Sequence, residues 1–432
     1  MKFPELCEAV GDELLREWNE SDGPVSNPVE FQKRAIMGYE PEVGDMQKRI
    51  SEIVSARGLS ADIPAWYDST ESAVFHENWG LSGVAEWFGP EYARSGSAKV
   101  IGDRVYFMQE GIMKLMPQRI QADRREQLIR ALLLRAPEER LDKDRHEVYM
   151  RDGTRVTIFR GSLAKKGLDT IIFRRYIIPN LTFDEQAGMH TIPADAAPLF
   201  EHMARCGFNV AFCGSVRSAK TTFLSTWQRY EDPVLEGVMV ETDPEIPIHR
   251  LMPESPVMQL IADGDELAGI SKSLMRSDAD YFIIAEARDG VALDTAVRLA
   301  RKGTRRMKMT FHTRNPRTFA QDAAVEIVRA MGGDIPETAL RVAGSFDYVF
   351  HFSGIRKDRS KKLTALYEMG LSEDGERALM HEICRYDRQS DSWEWTYHIG
   401  RDKRDIGMEE DADAFAAFDF CLKSMCDRSP AS

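Results

Sequence analysis

The sequence predicts an α/β fold with a large parallel sheet in its C-terminal half, a smaller α+β domain before it and a helical extension at the N-terminus. Apolar strands alternate with helices from residue 209 onward, which predicts parallel strands covered by helices on both faces. Short strands separated by turn dipeptides surround one helix between residues 98 and 174, which predicts the α+β domain. Residues 1 to about 60 are polar, with apolar side chains at loose helical spacing.

These changes of sequence pattern divide the 432 residues into five predicted segments. A chain of this length is expected to hold two or three domains. The segments are a helical extension (1–62), an α+β domain (63–178), a linker (179–190), the parallel-sheet domain (191–405) and an acidic helical tail (406–432).

The composition indicates the class of protein. A net charge of −13 argues against a protein that coats DNA or RNA, because that work needs cations to neutralise phosphates. The basic stretches 301–306 and 356–362 are therefore interpreted as solvated faces. No apolar run approaches the ~18 residues of a membrane span, and the first residues do not resemble a secretory signal. We expect a cytoplasmic protein.

A predicted phosphate-binding loop follows the apolar strand at 209–213. Backbone N–H groups of such a loop and the N-terminus of the following helix bind phosphate. In this chemistry Lys220 contacts the β- and γ-phosphates and the Thr221 hydroxyl binds Mg²⁺, which predicts ATP and Mg²⁺ as cofactors. The predicted nucleotide-binding residues are Gly214, Ser215, Val216, Arg217, Ser218, Ala219, Lys220, Thr221 and Thr222.

One position departs from the usual loop pattern, since Ala219 stands where the last glycine is expected. A Cβ at that position crowds a backbone that approaches phosphate closely and favours a positive φ angle. A match of this quality arises by chance in roughly one or two chains per hundred of this length. The alternative interpretation of the loop alone is an ordinary strand–turn–helix that carries a lysine.

An ATPase also needs a carboxylate at a strand end. The apolar strand 281–285 ends at Glu286, which we interpret as a general base or water-positioning residue; the alternative is a surface glutamate. A second acidic cluster, Glu241 to Glu245, lies between the loop and Glu286, and His312 follows the next strand.

The order and spacing of these motifs resemble the type II/type IV secretion and pilus-assembly ATPase superfamily, particularly its tight-adherence pilus branch. The resemblance covers about residues 66 to 370 and includes N-terminal elements such as Asp152–Val156 and Ile172–Arg175. Four motifs carry it: the Walker A motif (Gly214–Thr222), the Asp box (Glu241–Glu245), the Walker B motif (Asp280–Glu286 with Arg288) and the His box (His312 with Asn315–Arg317).

The resemblance implies a RecA-like C-terminal domain and a role for each matched residue. Glu286, Glu241, Glu245 and His312 would be catalytic, and Thr221 and Glu286 would hold the metal. Arg155 and Arg174 of the α+β domain would reach the nucleotide phosphates, and Arg276 would act as a further sensor; a guanidinium fork suits phosphate oxygens. The implied partners are five further copies in a homohexamer and a platform protein of the inner membrane, on whose cytoplasmic face the chain would lie.

Several residues differ from the family pattern. Ser215, Arg217 and Ala219 replace glycines, Thr242 and Asp243 exchange the order of the Asp box, and Ala285 replaces a glycine before the catalytic acid. We therefore expect Mg-ATP binding with slow turnover by a secretion or pilus motor. The second hypothesis is a degenerate nucleotide-binding subunit of the same machinery. A nucleic-acid motor is a third, which the acidity disfavours.

Overall fold

The computed structural model describes residues 1–19, 28–134, 143–175, 180–303, 305–355 and 360–428. The chain divides into two compact units, Met1–Ile177 and Ile178–Ser432. Some parts of the predicted segments lie outside the described residues: 20–27 of the extension, 135–142 and 176–178 of the α+β domain, 179 of the linker, 304 and 356–359 of the basic stretches, and 429–432 of the tail.

The first unit begins with a cluster of helices. Their bounds are α1 (Phe3–Asn19), α2 (Pro28–Ile36), α3 (Glu40–Ala56) and α4 (Thr70–Asn78). Leu6, Val10, Ile50 and Phe75 are buried in a shared apolar core, so α4 packs with the helices of the N-terminal extension. The predicted helical character of this region is observed.

A six-stranded antiparallel sheet forms the rest of the first unit, in the order β3-β2-β1-β6-β5-β4. Apolar side chains of one face pack against a helix, since Leu128 and Leu132 of that helix are fully buried with Val100 and Phe173 of the sheet. The elements are β1 (Ser97–Ile101), β2 (Arg104–Gln109), β3 (Ile112–Arg119), α5 (Ala122–Leu133), β4 (Arg145–Tyr149), β5 (Arg155–Phe159) and β6 (Thr170–Arg174).

The second unit alternates strands and helices. A capping box formed by Thr182 and Glu185 starts its first helix. The elements are α6 (Phe183–Gly188), α7 (Ala197–Arg205), β7 (Val210–Gly214), α8 (Lys220–Gln228), β8 (Gly237–Glu241), α9 (Ile248–Leu251), β9 (Val257–Ile261), α10 (Gly264–Leu274), β10 (Tyr281–Ala287), α11 (Gly290–Ala300), β11 (Lys308–Phe311), α12 (Phe319–Met331), α13 (Ile335–Ala343), β12 (Tyr348–Gly354), β13 (Lys361–Leu371), β14 (Ala378–Asp387), β15 (Ser392–Trp395), α14 (Arg401–Glu410) and α15 (Ala412–Arg428).

The sheet of the second unit has the order β15-β14-β13-β12-β7-β11-β10-β8-β9. Strands β12, β7, β11, β10, β8 and β9 pair in parallel, and β13 to β15 continue the sheet as antiparallel hairpins. Strand β11 therefore lies between the strand before the phosphate loop and the strand that ends near Glu286. The predicted RecA-like α/β fold is confirmed.

The phosphate-loop strand is buried on both faces, as expected for a central parallel strand. Val210 and Phe212 point into one apolar core and Ala211 and Cys213 into the other. The ring of Phe212 lies 5.6 Å from Phe223 and 5.7 Å from Trp227, both on α8. These aromatic contacts fix the helix that begins at Lys220 against the sheet.

The last helix belongs to the core of the second unit. Phe415, Phe418 and Leu422 of α15 are at most 2% exposed, and they lie in the same apolar cluster as Leu199 and Phe200 of α7. Asp413 and Asp427 of α15 are exposed, so the helix is amphipathic. Among the described helices, none combines the length and the apolar character needed to cross a membrane.

Candidate functional site

The turn between β7 and α8, which is the predicted phosphate loop, has three residues with positive φ angles. Gly214 has a φ of 142°, and a Cβ added there would lie 2.1 Å from the carbonyl oxygen of Phe352. Arg217 and Ala219 have φ values of 61° and 81°, in the left-handed region that favours glycine. The expectation that position 219 needs a positive φ is therefore correct, and alanine adopts it here.

The side chain of Lys220 points back over the loop. Its Nζ donates a hydrogen bond to the carbonyl oxygen of Ser215 at 2.8 Å and lies 3.3 Å from Nδ1 of His312. Burial lowers the pKa of Lys220 to about 8, although Cys213, Glu286 and Glu245 act in the opposite direction. An anion bound in the loop would restore the full charge of this lysine.

His312 connects the lysine with the acid. Its Nε2 lies 3.2 Å from Oε1 of Glu286, while Nδ1 faces the ammonium group of Lys220. Because an ammonium can only donate, these partners assign the proton of a neutral imidazole to Nε2. The ends of three neighbouring strands, β7, β11 and β10, are thus joined through one chain of polar contacts.

An irregularity in β10 directs Glu286 to this position. Ile284 pairs with Met309 and Ala287 with Phe311, so β10 has one residue more than β11 between these two pairs. Ile284 and Ala287 both lie in the same apolar core, which the alternation of an unbroken strand would not allow. The β-bulge leaves Glu286 at the edge of the sheet, facing the loop, as bulges do beside functional sites.

Arg288 holds Glu286 from the other side. Its Nε lies 2.5 Å from Glu286 Oε1, and its Nη2 lies 3.8 Å from the buried carboxylate of Asp243. Burial alone would raise the pKa of Glu286, but hydrogen bonds from His312 and Arg288 outweigh it and lower the pKa to about 2. Glu286 is therefore ionised at neutral pH.

The two glutamates of the acidic cluster are held differently. Oε1 of Glu241 accepts hydrogen bonds from the backbone N–H groups of Glu245 and Ile246, at 3.1 and 2.9 Å, so its carboxylate closes the turn after β8. The Glu245 side chain is half-buried, and its charge is coupled to those of Glu286 and Lys220. Burial, the largest cause, and neighbouring carboxylates raise the pKa of each glutamate to about 7, although the two backbone hydrogen bonds to Glu241 act in the opposite direction.

The residues of this region fit a magnesium nucleotide. The Oγ of Ser218 is buried within the loop and has no hydrogen-bond partner among the described residues. Such an orphan donor is expected where a bound oxyanion supplies the missing acceptor. Thr221 and Glu286 would hold the cation, whose charge stabilises the oxygens of a transferring phosphoryl group. A cavity of about 530 Å³ adjoins the site, lined in part by Arg288, His312 and Asn315.

Two of the three arginines that the resemblance implicates, Arg155 and Arg174, belong to the first unit. In the first unit, Arg155 on β5 and Arg174 on β6 are directly opposite each other, and Arg155 also pairs with Glu147 at 2.8 Å. Arg276 is exposed and precedes β10, at the edge of the sheet opposite the phosphate loop. A seven-residue strand spans about 20 Å, so Arg276 does not contribute to the phosphate loop of its own chain.

Sequence reasoning missed two features of the site. The contact of Arg288 with both Glu286 and Asp243 depends on the pairing of β10 with β8. The only sign of this contact in the sequence is that a basic residue follows Glu286 by two positions. The buried Ser218 hydroxyl could be anticipated only as part of the loop, because its isolation is a property of the folded backbone.

The solved structures that are similar to this chain include the following three. VirB11, the ATPase of the Brucella suis type IV secretion system, solved with sulphate, is 13% identical with a TM-score of 0.36 and covers 68% of this chain and 93% of its own. The Legionella pneumophila ATPase DotB is 15% identical with a TM-score of 0.45, covering 78% and 85%. The pilus retraction motor PilT with bound ADP is 13% identical with a TM-score of 0.46, covering 78% and 91%.

No protein-family model and no curated protein matches the sequence. VirB11 is the ATPase of a secretion system and PilT is a pilus motor, and the sequence motifs resemble the same class.

Proposed function

We propose that this chain is the ATP-binding motor subunit of a protein secretion or pilus-assembly system and that it hydrolyses Mg-ATP slowly. The observation that carries the proposal is the contact chain from Lys220 through His312 to Glu286. It joins a phosphate loop to an ionised carboxylate across three adjacent strand ends. This arrangement suits a triphosphate with an attacking water beside its terminal phosphate.

Each residue has a distinct proposed task. Lys220 and the loop N–H groups bind the phosphates, and the left-handed residues of the loop set the directions of those groups. Glu286, with a pKa of about 2, is too weak a base to remove a proton efficiently, so it orients the water. The pKa of about 7 suits Glu245 to accept the proton.

A ring of identical subunits, a homohexamer, would account for Arg276. Because this arginine lies at the edge of the sheet away from its own loop, it could sense only the nucleotide of a neighbouring copy.

The opposed pair Arg155 and Arg174 offers two cations to one anion, as bidentate phosphate recognition requires. A membrane platform protein is the proposed partner, and the cytoplasmic face of the membrane is the proposed location.

Calorimetric titration with Mg-ATP and a phosphate-release assay test the proposal. We expect binding by the wild type, loss of binding in Lys220→Ala, and binding without turnover in Glu286→Gln. If Glu286 has no catalytic role, Glu286→Gln should release phosphate at the same rate as the wild type. Absence of nucleotide binding by the wild type would refute the proposal.

The second candidate is a degenerate subunit that binds nucleotide without hydrolysing it. Two observations favour it: Ala219 occupies a left-handed position, and Lys220 is bonded to its own loop. Phosphate release by the wild type that equals release by Lys220→Ala, despite nucleotide binding by the wild type, would support this candidate.

A further inference from the structure

Two basic side chains, those of Arg217 and Lys361, lie beside the phosphate loop. Strand β12 runs parallel to β7, and Phe352 pairs with Gly214, the first residue of the loop. Two residues later Gly354 pairs with Lys361, the first residue of β13. Lys361 is therefore placed at the carboxyl edge of the sheet, from which the loop that carries Arg217 begins.

These two cations are close enough to affect each other. Burial lowers the pKa of Lys361, and the positive charge of Arg217 lowers it further. Among the described residues, no hydrogen bond or ion pair involves either side chain. Two neighbouring cations without a carboxylate repel each other, and an anion placed between them would convert the repulsion into attraction.

The backbone of the loop supports a functional role for Arg217. Its φ of 61° is easily adopted by glycine, whereas a left-handed conformation is unfavourable for other L-residues. Glycine would relieve this strain at an exposed position where no packing requires a long side chain. A non-glycine residue that keeps a strained conformation at such a place indicates that its side chain has a function.

We propose that Arg217 and Lys361 form a clamp that binds the phosphate chain of the nucleotide from outside the loop. This inference rests on the proposed function, because the loop itself must first hold the nucleotide. Lys220 contacts the phosphates from within the loop, while the clamp supplies two further cations at its rim. The clamp strengthens nucleotide binding in a loop where three residues replace the glycines of the family pattern.

Titration with Mg-ATP, Mg-ADP and AMP tests the clamp in the full chain. We expect Arg217→Gln and Lys361→Gln each to weaken binding of ATP about tenfold, the loss of about one charge-assisted hydrogen bond. Arg217→Lys should restore most of the affinity because it keeps the charge. Lys272→Gln, which removes an exposed cation from α10, is the matched control and should bind as the wild type does.

Two further variants separate charge from backbone strain. Arg217→Gly removes the cation and the strain together, so it should bind ATP more weakly than the wild type even though its loop is relaxed. The double variant Arg217→Gln with Lys361→Gln should lose less than the product of the single losses, because both cations share one anion. Unchanged thermal midpoints would show that the variants are folded.

The outcomes distinguish the clamp from the proposed function. Wild-type binding of ATP with unchanged affinity in Arg217→Gln and Lys361→Gln overturns the clamp alone. No binding of ATP by the wild type overturns both. Equal losses for ATP and ADP support contact with the inner phosphates, and a loss confined to ATP supports contact with the terminal phosphate.

Discussion

Replacing Ala219 by glycine should stabilise the second unit. The left-handed conformation observed at this residue, with φ 81° and ψ 13°, costs an L-residue ~1–2 kcal/mol. Glycine removes that cost but gives the unfolded chain more freedom, which is worth ~0.4–1 kcal/mol. The difference predicts that Ala219→Gly raises the free energy of unfolding by about 0.5–1 kcal/mol. Urea denaturation of the two proteins measures it.

The same substitution in a helix provides the control. Ala268 is exposed within α10, where glycine is less favourable than alanine by about 1 kcal/mol. Ala268→Gly should therefore lower the free energy of unfolding while Ala219→Gly raises it. If both substitutions destabilise the protein equally, the backbone of the loop is not strained as argued. A relaxed loop should also bind Mg-ATP at least as tightly as the wild type does.

Three further substitutions test other parts of the second unit. Gly214→Ala should cost about 3 kcal/mol or more in thermal or urea unfolding, because its Cβ would collide with the Phe352 carbonyl oxygen. Glu231→Gln should cost roughly 3–5 kcal/mol, because Glu231 is the buried counter-charge of Lys308 at 2.8 Å; adding Lys308→Met should recover part of this loss. Glu245 binds a proton in the folded protein at pH values where the unfolded chain has released it. The free energy of unfolding should therefore fall as pH rises from about 4.5 to about 7, and less steeply in Glu245→Gln.

The sequence predicted the strands and the helix that carry the candidate site residues because their signals are local. A buried apolar strand followed by a lysine and threonine at the start of a helix indicates the loop without any tertiary contact. The strand that ends near Glu286 and the strand before His312 were found in the same way. The packing of the acidic tail could not be predicted in this way. The burial of Phe415 and Phe418 depends on contacts with α7, more than 200 positions earlier in the chain.

The relative positions of the site residues could not be predicted from single segments. Glu286 faces His312 because one extra residue shifts β10 against β11, and a bulge has no reliable sequence signal. Arg276 and Glu286 are only ten positions apart, yet an extended strand carries them to opposite edges of the sheet.

The amino-acid sequence by itself determined the local setting of each candidate residue: a lysine and hydroxyls after a buried strand, an acid after another, and a histidine after a third. The local backbone conformation and the start of each helix depend on neighbours only a few residues away. The spacing of residues along the chain therefore fixes them. Only the tertiary structure decided that β11 lies between β7 and β10, which connects Lys220, His312 and Glu286. Strand order arises from packing between distant segments, so no local pattern records it.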